Sequence, residues 1–247
     1  KLTERDVEFK LENFRKKSKN YLYPSFNTIA GSGPNGAIIH YKSTKKSNRK
    51  LNKKDLLLID SGGQYKWGTT DVTRTICFSK VSSKIKELFT RVLKGHIAVA
   101  LSVINKHTTG EYIDKKARQS LNSIGLDYRH GTGHGVGFFL NVHEGPQSIS
   151  KNNQVKLTEG MIVSNEPGYY LENKFGIRIE NLVFIIRNKK KLNFKNLTFA
   201  PIDKDLINFK MLSKKERDYL FKYHLEVYSK ISPFLNRNEK NWLAKLI

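Results

Sequence analysis

Two aspartates lie at the ends of neighbouring predicted strands, eleven residues apart. Asp60 closes the apolar run DLLLID, residues 55–60, and Asp71 opens the alternating run DVTRTICFS, residues 71–79. The segment between them contains three glycines, so an antiparallel hairpin can bring the two carboxylates side by side. Because like charges that close repel each other, a bound cation is the simplest way to keep both ionised. Two solvent-facing turn aspartates are the alternative.

Three histidines fall within the glycine-rich segment HGTGHGVGFFLNVHEGP, residues 130–146. His130 and His134 have the spacing of a helical metal pair, but the alternating glycines disfavour a helix and predict a looped backbone. A dinucleotide-binding loop is the competing interpretation, although no helical pattern follows and Pro146 closes the segment. One histidine alone is more often structural than a ligand. The addition of His143 favours a functional site.

Two glutamates repeat the arrangement of acids beside apolar strands. Glu166 follows a predicted strand at 160–164, and Glu180 shares one face with Arg178 in the predicted strand FGIRIENLVFII, residues 175–186. A surface strand with an incidental charge pair is the alternative, but the apolar run LVFII indicates an interior strand.

Together these segments supply two aspartates, two glutamates and one imidazole. Such a donor set suits hard or borderline divalent cations, and four carboxylates balance the charge of two of them. A pair of ions about 3.5 to 4 Å apart can hold a bridging water, lower its pKa and polarise a carbonyl. The pattern therefore predicts metal-assisted hydrolysis.

The elements that must position these residues alternate between helical and strand patterns. Apolar residues recur at three and four from Ser83 and predict a helix to about Ile104. Two predicted capping boxes begin further helices: Thr108 with Glu111, and Ser213 with Glu216. With a directly connected strand pair and no repeat, the class is predicted to be α+β.

Composition limits the remaining possibilities. The 45 basic and 22 acidic residues give a net charge of +23, but 34 of the basic residues are lysines, whereas phosphate recognition favours arginine. We therefore predict a solvated lysine-rich surface without a nucleic-acid partner, although the runs 42–54 and 187–195 can form a basic patch. No apolar run approaches the roughly 20 residues of a membrane span. Cys77, the single cysteine, excludes an intrachain disulfide framework.

The quoted segments resemble the metal-dependent "pita-bread" peptidases of family M24, and among them the Xaa-Pro aminopeptidases (aminopeptidase P). The resemblance extends from GPNGAIIHY through the C-terminal helical patterns. It implies a curved, mostly antiparallel sheet covered by helices, with 1–247 as one catalytic domain and 213–247 as a C-terminal helical extension. Creatinase-like domains precede this domain in the family, and the polar start without an initiator Met agrees with a preceding region.

The resemblance also implies the metal ligands residue by residue. Asp60 is expected to bind one ion, Asp71 and Glu180 to bridge both, and His134 and Glu166 to bind the other. Mn²⁺ is the expected metal, with Co²⁺ or Zn²⁺ as alternatives.

The same resemblance implies the catalytic roles. Glu166 is expected to act as the general base, and His143 to stabilise the tetrahedral intermediate. His40, in the predicted short strand AIIHY at 37–41, and His130 are expected to lie around the substrate. Arg178 is expected to position the substrate and the metal ligands.

The implied activity is hydrolysis of the bond between an N-terminal residue and a following proline, with Tyr169 and Tyr170 lining the pocket. A homodimer in the cytoplasm, without a membrane partner, is expected. A prolidase-type dipeptidase, a methionine aminopeptidase and a non-catalytic binding module are the alternatives. The segments NEPGYY and GIRIEN favour the proline-directed branch.

Overall fold

The structure is a computed structural model that describes residues 2–188 and 191–247; residues 189 and 190, within the basic run 187–195, lie outside the described residues. The described part contains five α-helices: Glu4–Arg15 (α1), Ser83–Ala100 (α2), Gly110–Asn122 (α3), Lys214–Ile231 (α4) and Arg237–Leu246 (α5). It also contains fourteen strands: Tyr21–Pro24 (β1), Ile29–Ser32 (β2), Leu57–Ser61 (β3), Gly63–Tyr65 (β4), Gly68–Thr69 (β5), Val72–Ile76 (β6), Val103–Ile104 (β7), Gly133–His134 (β8), Ser148–Ile149 (β9), Ile162–Asn165 (β10), Gly168–Leu171 (β11), Phe175–Arg178 (β12), Asn181–Asn188 (β13) and Lys191–Asn196 (β14).

The strand pairs among these residues are antiparallel. They form the groups β2–β3–β6, β10–β13–β14–β7, β1–β4–β5, β11–β12 and β8–β9. The predicted pairing of the two aspartate strands is confirmed, because Asp60 lies opposite Thr73 and Ser61 opposite Val72. Asp71, directly before β6, therefore lies beside the end of β3.

Helix α2 lies behind the sheets and supports two apolar clusters. Its residues Phe89 and Leu93 belong to a buried cluster that includes Ile179 and residues of α4. Near its end, Val99 packs in a second cluster with Val163 of β10. Burial of each such side chain contributes about 1.5–3 kcal/mol. The strands that carry the acidic residues thus rest on a fixed apolar layer.

Two predicted boundaries near α2 are wrong. The helix ends at Ala100 instead of Ile104, because Val103–Ile104 pairs with β14 and buries Ile104 in the second cluster. The next helix is capped by Thr109, whose side chain accepts from the Tyr112 N–H, while Thr108 accepts from Asn105. The predicted capping box of Ser213 with Glu216 before α4 is confirmed.

The predicted strand at 37–41 is also wrong. Residues Gly33–Ala37 form a 3₁₀ turn instead, and the chain continues as a turn through His40. The turn crosses β12 closely, since a Cβ added at Gly176 would lie 1.8 Å from the Gly36 carbonyl oxygen. The segment therefore packs against β12 without joining a sheet.

The predicted strand at 175–186 is interrupted at Ile179 and Glu180. Strand β12 pairs with β11, whereas β13 pairs with β10 and β14. At the break, Ile179 N–H donates to Pro167 O and Glu180 N–H donates to Thr73 O. Glu180 therefore lies where three strand groups meet.

None of the helices in the described ranges has both the length and the apolar character needed to cross a bilayer.

His224 of α4 provides a test of the C-terminal packing. Its side chain is 7% exposed and accepts from the Ile202 N–H at 3.2 Å. Burial, together with the charge of Arg74, lowers the pKa of His224 to about 4. An unfolded histidine titrates near about 6.5, so the unfolded chain binds more protons below that pH. The titration of His224 therefore leaves the free energy of unfolding unchanged above a pH of about 6.5 and lowers it as the pH falls from about 6.5 toward 4.

We expect His224→Gln, which keeps an acceptor, to reduce this acid sensitivity of the metal-free protein by up to about 1 kcal/mol per pH unit. Urea unfolding between pH 4.5 and 7.5 measures it, with His107→Gln at an exposed position as the control. An unchanged pH slope in His224→Gln contradicts the assignment.

Candidate metal centre

One cavity of about 500 Å³ brings together all the residues predicted as metal ligands or catalytic residues. Its walls include Asp60, Asp71, His134, Glu166 and Glu180, and also His40, His130, His143 and Arg178. Tyr169 and Tyr170 are not among the lining residues, so that prediction is wrong. Tyr169 packs beside Phe175 on the apolar core, and the hydroxyl of Tyr170 contacts two site residues from behind the wall.

The acidic residues and one imidazole form overlapping groups in this cavity. One ligand atom from each of Asp60, Asp71 and Glu180 lies within 4.8 Å of the others, and the same holds for His134, Glu166 and Glu180. His134 Nε2 lies 3.4 Å from both Asp71 Oδ2 and Glu166 Oε1. Glu180 belongs to both groups, which is the arrangement that a bridging ligand requires.

A third group joins Asp71 and His134 to His143. The rings of His134 and His143 have centroids 4.0 Å apart. The geometry therefore brings His143 within reach of the same centre, although sequence reasoning gave it no ligand role.

Local contacts fix the orientation of His134. Its Nδ1 lies 2.9 Å from the carbonyl oxygen of Gly135. Because a carbonyl oxygen only accepts, Nδ1 donates its proton there, and Nε2, which faces the carboxylates, is the ring nitrogen that could bind a metal ion. The Ser164 hydroxyl accepts from the backbone N–H of His134 at 2.9 Å and donates to Glu166 Oε1 at 3.0 Å. A Cβ at Gly133 would lie 1.9 Å from Ser164 O, so this close strand crossing requires glycine.

Burial and mutual repulsion make the acidic groups costly to ionise without a cation. Burial raises the pKa of Asp71 well above its ordinary value, and the charges of Asp60 and Glu166 raise it further. Glu180 has its pKa raised in the same way, first by burial and then by Asp71. Burial also raises the pKa of Glu166. Divalent cations between these groups would offset both effects.

An unpartnered oxygen supports the fit of a metal ion. Asp60 Oδ2 accepts from Arg178 Nη2 at 2.6 Å, whereas Asp60 Oδ1 is buried without a hydrogen-bond partner among the described residues. An unpaired buried carboxylate oxygen is unfavourable unless something coordinates it. Together with the other three carboxylates and one imidazole, this oxygen matches a site for two divalent ions.

A hydrogen-bonded chain extends from Arg178 to His130. Arg178 Nη1 donates to the Tyr170 hydroxyl at 2.7 Å, and this hydroxyl lies 2.8 Å from His130 Nε2. His130 Nδ1 lies 2.7 Å from Gly131 O and therefore carries the proton, so Tyr170 donates to Nε2. Burial, and then the charge of Arg178, lowers the pKa of His130 to about 3. His130 is therefore neutral at physiological pH.

Sequence reasoning missed a second supporting network, which begins on α3. Arg118 is 3% exposed and donates to Asp114 Oδ2, Tyr128 O and His130 O, each at 2.7 Å. Asp114 Oδ1 accepts from the Thr132 hydroxyl at 2.7 Å, and Thr132 O accepts from the Glu166 N–H at 2.7 Å. The only sequence signal was an acid and a base four residues apart, which is equally typical of an exposed helix face.

Comparison with known proteins identifies the family. Residues 1–187 match the model of metallopeptidase family M24, and residues 190–246 match the model of the C-terminal region of peptidase M24. The chain therefore belongs to metallopeptidase family M24.

Relatives of known name are considerably longer than this chain. It is 51% identical over 253 residues to aminopeptidase P2 of Arabidopsis thaliana, a match that covers 98% of this chain and 36% of the relative. It is 47% identical over 249 residues to a probable Xaa-Pro aminopeptidase P of Laccaria bicolor, a match that covers 96% of this chain and 39% of the relative.

Solved structures confirm the predicted α+β pita-bread fold. An X-prolyl aminopeptidase from Caenorhabditis elegans, described as a cytosolic enzyme with a di-nuclear active site, is 36% identical with a TM-score of 0.94; the match covers 99% of this chain and 42% of that one. A prolidase from Pyrococcus furiosus is 32% identical with a TM-score of 0.71; the match covers 79% of this chain and 55% of that one.

Because Asp71 belongs to two of the three ligand groups, its amide variant should weaken binding at more than one position. We expect Asp71→Asn to lower the affinity for both divalent ions, by more than about tenfold. Calorimetric titration with Mn²⁺ and elemental analysis after dialysis measure the loss. Asp218→Asn, which removes one exposed carboxylate from α4, is the control. Two retained ions per chain in Asp71→Asn would rule out this geometry as the metal centre.

Proposed function

We propose that the protein is an Xaa-Pro aminopeptidase, a metal-dependent exopeptidase that hydrolyses the bond between an N-terminal residue and a following proline. The observation that carries this proposal is the convergence of four carboxylates and one imidazole on one wall of a single cavity. The names of the longer relatives supply the substrate class, peptides with proline at the second position.

The proposed ligands are the five residues that the family resemblance implies. Asp60 would hold one ion, Asp71 and Glu180 would hold both, and His134 and Glu166 would hold the other. Mn²⁺ is the proposed metal, and Co²⁺ and Zn²⁺ also suit this donor set. When bound, two such ions supply Lewis acidity that polarises the scissile carbonyl and makes water a stronger acid.

Glu166 is proposed as the general base that takes a proton from the attacking water. A general base must lie within reach of the proton that it takes, and Glu166 belongs to the ligand group that would hold one of the ions. The hydrogen bond from Ser164 to Oε1 fixes the carboxylate, so its orientation does not depend on the substrate.

The surrounding residues are proposed to orient the substrate. Burial lowers the pKa of His143, which favours its neutral form, and His143 is proposed to donate one N–H toward the developing oxyanion. His40, on the turn above β12, and His130 are proposed to contact the peptide. Arg178 donates to Asp60 and to Thr73 and thereby holds one metal ligand in place.

The wider setting is proposed from the family and the neighbours. The chain is proposed to form one catalytic domain, 1–247, with 213–247 as a helical extension, and to work as a homodimer. A cytoplasmic location is proposed because the C. elegans neighbour is described as cytosolic.

Cleavage of peptides that differ in length tests the proposed activity. We expect hydrolysis of an Arg-Pro-Pro peptide to cease with a chelator and to return with Mn²⁺. Glu166→Gln, which retains one side-chain oxygen for the metal, is expected to lower turnover by about 10²–10⁴-fold while leaving metal largely bound. Peptide cleavage by chromatography and metal content by elemental analysis are measured together.

Three results distinguish the alternatives. Retained turnover in Glu166→Gln removes the assignment of the base. Cleavage of the dipeptide Arg-Pro but not of the tripeptide identifies a prolidase. Tight binding of RNA without cleavage of any such peptide favours a binding module.

The hydroxyl of Tyr170 is expected to matter for turnover because it links Arg178 to His130. Tyr170→Phe should reduce turnover about 10–100-fold without loss of bound metal. Tyr169→Phe is the matched control, since the neighbouring hydroxyl makes no hydrogen bond among the described residues. Steady-state rates and metal content are compared for the two variants. Equal turnover in both would contradict the proposed role of the Tyr170 hydroxyl.

A further inference from the structure

Arg74 joins the metal centre to the C-terminal segment of the chain. It lies on β6, three residues after Asp71, and its side chain is 9% exposed. On the metal side, Nη1 donates to Thr73 O at 2.8 Å and to Glu180 O, and Nη2 donates to Asn181 Oδ1 at 2.7 Å.

The other contacts of Arg74 lie more than 120 residues later in the chain. Its Nε donates to Pro201 O at 2.9 Å, and Nη2 donates to Ala200 O at 2.8 Å and to the Tyr223 hydroxyl at 2.9 Å. Tyr223 of α4 is 2% exposed and donates in turn to Ala200 O at 2.7 Å. The guanidinium of Arg74 thus contacts both a proposed metal-ligand segment and the region 190–246, which matches the C-terminal family model.

This guanidinium has no carboxylate partner among the described residues. A nearly buried cation is tolerated only when its donors are satisfied, and here carbonyl, amide and phenol oxygens on both sides do so. Because the guanidinium is planar and rigid, it fixes these oxygens relative to one another.

The fixed oxygens include those that determine the position of Glu180. The Thr73 hydroxyl donates to Glu180 Oε2 at 2.8 Å, and the Glu180 N–H donates to Thr73 O at 3.1 Å. Arg74 contacts the carbonyl oxygens of both residues. A shift of Arg74 would therefore move the backbone that aims the Glu180 carboxylate.

We propose that the C-terminal segment positions the metal ligand Glu180 through Arg74 and the Tyr223 hydroxyl. Arg74 and Tyr223 are positioning residues, since neither lines the cavity. The inference rests on the proposed metal centre, because it assigns Glu180 as a ligand.

Two tyrosines of α4 provide a matched test. Tyr223→Phe removes the hydroxyl that contacts Arg74. Tyr219→Phe removes a hydroxyl of the same helix that accepts from Asn196 at 3.2 Å and does not contact Arg74. We expect Tyr223→Phe to lower the affinity for Mn²⁺ about three- to tenfold, and Tyr219→Phe to leave it within about twofold. Calorimetric titration measures the affinity, and the electron paramagnetic resonance spectrum of bound Mn²⁺ reports the ligand geometry.

Thermal unfolding of the metal-free variants shows whether a loss of Mn²⁺ affinity comes from displaced ligands or from a general loss of stability.

Arg74→Lys, which keeps the charge but not the planar fork, is expected to lower Mn²⁺ affinity by more than about tenfold. The inference is overturned if Mn²⁺ affinity and spectrum are unchanged in Tyr223→Phe, or if affinity falls equally in both tyrosine variants. If the unaltered protein binds no Mn²⁺, the proposed metal centre itself fails.

Discussion

Mutual repulsion among buried carboxylates is the constraint that determines how this site is built. Asp71, Glu166 and Glu180 are held close together, and burial raises the pKa of each. Without cations, such a group is stable only if it takes up protons or moves apart. The surrounding protein prevents movement by hydrogen bonds to the carboxylates, from Thr73 to Glu180 and from Ser164 to Glu166. The ligands are therefore already close together before a metal ion binds, so binding would not have to bring them together.

Backbone geometry provides the second part of this preorganisation. Asp60 and Asp71 come from one antiparallel pair, but Glu180 lies at a break between two strands whose partners differ. The break allows the Glu180 N–H to leave its own sheet and donate to Thr73 O. A continuous strand would use that N–H in its own ladder.

Local pattern was sufficient to identify the chemistry but not the groups that support it. Acids beside apolar runs and histidines among glycines are short-range signals, and they identified the four acidic residues together with His130, His134 and His143, whereas His40 was implied by the family resemblance alone. Arg74 contacts Tyr223 across 149 residues, and no local spacing indicates such a contact. The turn at His40 was missed for a related reason: an apolar run resembles a strand, and the close approach of Gly36 to Gly176 depends on tertiary structure.

The distribution of charge in the cavity opposes that of the whole chain. The sequence has a net charge of +23, yet one wall of the cavity has four carboxylates, and Arg178 there is already paired with Asp60. With two divalent ions bound, these carboxylates would be balanced, so the cavity would present no net negative charge to a peptide that approaches the basic surface. The neutral His130 adds no positive charge to the cavity. The charge pattern therefore opposes long-range steering of basic peptides, and recognition of a peptide at this site would depend on short-range contacts with the ions and the cavity walls.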